Sequence, residues 1–169
     1  MIALDESSPA QRLAIHLNDH RALVTGELAL TRRARSSRVG TRLGHDLTHH
    51  LCEVGTDLDL VDALLRETGG RTDHVKSVAA RVAERVGRLK LNGQLVGSSP
   101  LGGVVELEVL VASCHARSTL WSTLLDADVV ATPFVDEVTA RRDATGAQVD
   151  RLAGHLRDAV AEAFGAAAP

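Results

Sequence analysis

The 169-residue chain contains 24 Leu and 24 Ala against 2 Ile and no Tyr, a balance that favours helices and argues against a sheet-rich fold. Its net charge of −3 sums to no strong field, and its 2% aromatic content leaves almost no stacking platform, so generic nucleic-acid binding through a basic surface is not expected. The two cysteines, Cys52 and Cys114, fit neither a disulfide framework nor a cysteine-rich zinc site. No window reaches the ~18–20 apolar residues needed to span a bilayer. The longest contender, Leu101 to Ala112, is broken by Glu106 and Glu108. The opening MIALDESSPA is acidic and lacks a basic n-region, so the expectation is a cytoplasmic protein.

In chain order, Ser8-Pro9 opens a first helix over roughly 9–34, because a hydroxyl at the cap accepts a backbone N–H and proline suits the first helical position. Ser36-Ser37 marks a short break, and a second helix follows over roughly 38–68. There Leu43, Leu47, Leu51, Val54, Leu58, Val61 and Leu65 draw one apolar stripe. Gly69-Gly70 stops it, and Thr72-Asp73 starts a shorter helix near residues 73–90. Arg81, Arg85 and Arg88 lie on one side of that helix, with Lys76 and Lys90 nearby, as a solvated face or a docking face for an acidic partner, anionic lipid or nucleic acid. Residues 91–103 read as a connecting loop. Ser99-Pro100 opens a helix over roughly 100–126 that is apolar around much of its circumference, and Thr132-Pro133 opens the last, roughly 133–164. Residues 165–169 form a flexible tail. Two long helices, a long connection carrying a short helix, and two more long helices predict a single all-α domain over 1–169. The expected architecture is a ferritin-like four-helix bundle, up-down with one long crossover.

The informative residues are the ionisable ones on the apolar faces. His20 and Glu27 are nearly superposed in the first helix. His50 borders the leucine stripe of the second, with Asp46, Glu53 and Asp57 further round. Glu108 and His115 are seven apart beside Val104 and Val111, and Arg142 falls between Val138 and Val149. A dinuclear metal site in such a bundle takes a Glu from two helices and Glu-x-x-His from two others. Glu27, His50, Glu53, Glu108 and His115 are the candidate ligands, for iron or manganese, of an oxidoreductase or storage protein. Glu-x-x-His is missing from the second and last helices, and Arg142 brings a permanent cation. The adopted reading is therefore a buried polar network of His20, Glu27, His50, Glu108, His115 and Arg142, with no cofactor and no catalytic residue, since buried charges must be paired.

The strings HLNDH at 16–20, GRLKLNG at 87–93 and SPLGGVVELEVL at 99–110 resemble a group of uncharacterised bacterial, actinobacterial helical proteins of the ferritin-like type. The resemblance runs from Gln11 to about Leu125, some two thirds of the chain. It implies the fold, and the wider class implies di-iron ligands at Glu27, Glu53 and Glu108. A structural or protein-interaction module is expected, as a homodimer through the apolar surface of the 100–126 helix, with a protein partner, no nucleic acid and no membrane span.

Overall fold

In the computed structural model, which describes residues 8–69 and 99–165, four long helices contain nearly all described residues and no strand occurs among them. The first, α1 (Pro9–Ser36), begins where Ser8 accepts the Gln11 amide at 3.2 Å. Its partner α2 (Arg42–Glu67) starts four residues later than the spacing predicts. Gly40 turns the chain at φ +80°, a conformation glycine adopts without strain, and Thr41 then caps α2 by accepting the Gly44 amide at 3.0 Å. Gly44 is fixed by a close approach, because a Cβ there would lie 1.9 Å from the Arg38 carbonyl oxygen.

Ser99 caps α3 (Pro100–Asp126) by accepting the Gly102 amide at 3.1 Å. Residues 100–103 are therefore the first turn of a helix and not the end of a loop. A turn at 127–131 and a 3₁₀ turn, Thr132–Phe134, lead into α4 (Val135–Phe164). Thr132 does not cap α4; no side chain does, and Asp136 and Glu137 supply negative charge to its first turn. The expected short helix at 73–90, with Arg81, Arg85 and Arg88, lies outside the described residues, as do 91–98 and 166–169.

The helices pack as two hairpins, α1 with α2 and α3 with α4, joined mainly along α1 and α3. Apolar residues gather in three clusters; Val24, Leu28 and Val54 form a small one between α1 and α2, and the other two fix the directions. Leu17 of α1, Leu60, Val61, Leu64 and Leu65 of α2, Leu120, Trp121 and Leu124 of α3 and Val138 of α4 close one end. Leu30 and Ala34, Leu47, Leu107, Leu110 and Cys114, and Leu152 close the other. α1 thus runs opposite to α2 and α3, and parallel to α4. The apolar circumference of α3 is spent inside the molecule, against α1 and α4, and of its large side chains only Leu101 is an exposed hydrophobic, at 49%. Between the two apolar ends lies a polar layer.

Candidate functional site

Each helix brings a polar residue into the middle of the core at the 3–4 spacing of a buried stripe. In α2 the sequence Leu47, His50, Val54, Asp57, Val61, Leu64 faces inward, and in α3 it is Leu107, Leu110, Cys114, Arg117, Trp121, Leu124. With Glu27 of α1 and Gln148 of α4, these stripes deliver six polar side chains to one place, none more than 2% exposed.

Arg117 sits at the centre. Its Nε donates to Glu27 Oε2 at 2.8 Å and its Nη2 to Glu27 Oε1 at 2.9 Å, a bidentate pair of the fork-on-carboxylate kind. Nη1 donates to Asp57 Oδ2, and Nη2 also reaches Gln148 Oε1 at 2.7 Å and Cys114 Sγ at 3.3 Å. One guanidinium therefore ties all four helices. His50 Nε2 lies 2.9 Å from Glu27 Oε1. An ionised carboxylate only accepts, so the ring proton sits on Nε2. The other ring nitrogen, Nδ1, has no hydrogen-bond partner and lies 3.9 Å from Glu53 Oε2. Arg141, on the flank of α4, approaches Asp57 at 3.8 Å. Two carboxylates thus face two guanidiniums.

The electrostatics follow from this geometry. Burial alone would raise the Glu27 carboxyl, but the His50 hydrogen bond and the charge and hydrogen bonds of Arg117 together hold it below the ordinary value. Burial pushes Asp57 up to about 6 against the pull of Arg117 and Arg141. The Cys114 thiol is pushed up to about 12, first by burial and then by Glu27, which favours its protonated form. Burial works against the Arg117 charge, and Glu27 more than restores it. With these groups buried and a fixed cation among them, the arrangement is suited to holding the helices together.

Of the residues expected to meet inside, the structure brings together only Glu27 and His50. Glu108 and His115 are exposed on the outer side of α3, because the buried stripe of that helix is the one carrying Cys114 and Arg117. Arg142 has a side chain 41% exposed and pairs with its neighbour Asp143 at 3.0 Å. His20 is half-buried on α1, away from the cluster, with its ring edge-to-face on His16 at 4.7 Å. Burial and the neighbouring His16 lower its pKa to about 4. Glu53 lies at the rim, bonded to Arg151 of α4 and 3.3 Å from His49. The proposed di-iron set Glu27, Glu53 and Glu108 therefore does not converge. Arg117, Asp57 and Gln148 are the residues that spacing missed as network members; Cys114 is both packed and hydrogen-bonded.

Glu27, His50 and Cys114 do place one carboxylate, one imidazole and one thiol atom within 4.8 Å of one another. The donor set suits a single borderline cation, but the Arg117 guanidinium already binds both oxygens of Glu27. In comparisons with known proteins, the chain matches no family model, no curated protein and no solved structure. No helix among the described residues is long and apolar enough to cross a membrane.

Proposed function

We propose that the protein is a ferritin-like bundle in which an arginine-centred ion cluster stands where related architectures hold a dinuclear metal centre, and that it serves as a non-catalytic structural or protein-interaction module. The helix directions, with α2 and α3 parallel across the 70–98 connection, support the ferritin-like part of the reading. The observation that carries the rest is Arg117, 1% exposed, with its guanidinium on the carboxylates of α1 and α2. A permanent cation there repels a dication and occupies the oxygens that would bridge two metals.

Elemental analysis after expression in iron- or manganese-supplemented medium tests this. Sub-stoichiometric metal is expected in the wild-type protein. Stoichiometric iron or manganese that disappears with Glu27→Ala would establish the competing metal-dependent reading, which the Glu27–His50–Cys114 cluster favours. Self-association belongs to the module reading, and a monomer mass by light scattering across micromolar concentrations contradicts it.

A further inference from the structure

The hairpin end formed by the close of α1, the Ser37–Thr41 turn and the start of α2 has a charge pattern found nowhere else among the described residues. From Leu28 to His45 the chain contains no acidic residue, while Arg32, Arg33, Arg35, Arg38 and Arg42 fall within it. Arg33 and Arg38 are engaged by Glu106 of α3, at 3.2 and 3.0 Å, which braces the turn against the body of the molecule. Arg32 and Arg35 are exposed and make no ion pair among the described residues. Arg42 is exposed as well; its charge is felt by Asp46 without an ion pair between them.

Fold stability alone does not account for this placement. Arg33 and Arg35 suit the negative C-terminal end of α1, but Arg42 is the first residue of α2, where the helix dipole is positive and no acid stands in the first turn. At the apex, between Arg38 and Gly40, Val39 is 83% exposed, the most exposed large hydrophobic side chain described. The same end carries Leu101, 49% exposed in the first turn of α3, and Phe164, 67% exposed in the last turn of α4. Unpaired guanidiniums flanking the projecting Val39 match the boundary of an anionic bilayer, where phosphates lie beside acyl chains. Duplex nucleic acid would use the arginines but leave the apolar apex without a partner, and single strands would ask for aromatic platforms that the chain lacks.

We infer that this hairpin end is a peripheral docking surface for anionic phospholipid, with Arg32, Arg35 and Arg42 on headgroup phosphates and Val39 at the acyl boundary. The attachment is reversible and salt-sensitive, because no segment here inserts deeply.

Co-sedimentation of the full chain with phosphatidylcholine vesicles, with and without phosphatidylglycerol, tests the inference at low and high salt. Partition is expected only onto vesicles with phosphatidylglycerol, and salt should weaken it. Each arginine near an anionic leaflet strengthens attachment about fivefold, so Arg32→Ala/Arg35→Ala/Arg42→Ala should lose about a hundredfold, and Val39→Asp several-fold, with unchanged thermal midpoints. Absence of partition at low salt, or partition undiminished in the triple variant, overturns it. Binding to duplex DNA that exceeds vesicle binding and ignores Val39→Asp would assign the surface to nucleic acid. A change of mass in light scattering with Val39→Asp, at unaltered vesicle partition, would assign it to a second copy of the chain; either result contradicts the lipid surface.

Discussion

Arg117 and Arg21 each join helices through a carboxylate, in two different solvents. Arg21 of α1 bonds Asp62 of α2 with side chains 21% and 28% exposed, whereas Arg117 and Glu27 are each 1% exposed. At the rim, water screens the pair and can replace either partner, so the bond is worth little. In the centre neither partner can be removed without leaving an unpaired charge in the dry core, where the layer ties α1, α2, α3 and α4 to one another. The lesson is that the same residue types contribute differently according to their access to water.

The contrast can be broken or sharpened in several ways. The largest effect is expected from Arg117→Met, which strands Glu27 and Asp57 and should cost about 3–5 kcal/mol in urea denaturation. Adding zinc to that variant and following the thermal midpoint extends the test. With the guanidinium gone, Glu27, His50 and Cys114 are free to bind, so a metal-dependent rise is expected in Arg117→Met and none in the wild type.

Next comes Gly44→Ala, expected to lose about 1–3 kcal/mol because its Cβ would meet backbone and force the hairpin apart. Acid titration follows. His20 takes its proton only near pH 4 when folded but near 6.5 when unfolded, so stability should fall as pH drops through that window. His20→Gln should flatten the fall. Asp57 works in the opposite sense: folded it takes a proton at about 6 and unfolded near 3.8, so acidification between those values favours the folded state, and Asp57→Asn removes that gain. Smaller still is Arg21→Ala, at most about 1 kcal/mol. Least of all is Arg142→Leu, within about 0.5 kcal/mol, since that side chain already leans into solvent.

Four long helices, two serine caps and the glycine stop of α2 were legible because each is written in local chemistry. The site was half legible. Glu27 and His50 interrupt strongly patterned faces, and their burial follows from the pattern. Arg117 does not stand out because α3 is apolar nearly all round, so spacing permits two inward stripes, one through Glu108 and His115 and one through Cys114 and Arg117. A buried arginine is rare enough that the second stripe looks the worse choice until carboxylates from two other helices are known to meet it. That meeting is a long-range fact about packing, with Glu27 and Arg117 ninety residues apart in the chain. Arg142 shows the converse: it sits on the expected stripe, yet its long side chain reaches water and a neighbouring acid.

The most direct test compares Arg117→Met with Arg117→Met/Glu27→Gln/Asp57→Asn by urea denaturation at neutral pH. If the cluster is a self-satisfied set of charges in a dry core, the single variant loses about 3–5 kcal/mol and the triple variant regains most of that loss once the stranded carboxylates are neutral. Strictly additive losses, or a single-variant cost under about 0.5 kcal/mol, would show that Arg117 is not held there by Glu27 and Asp57.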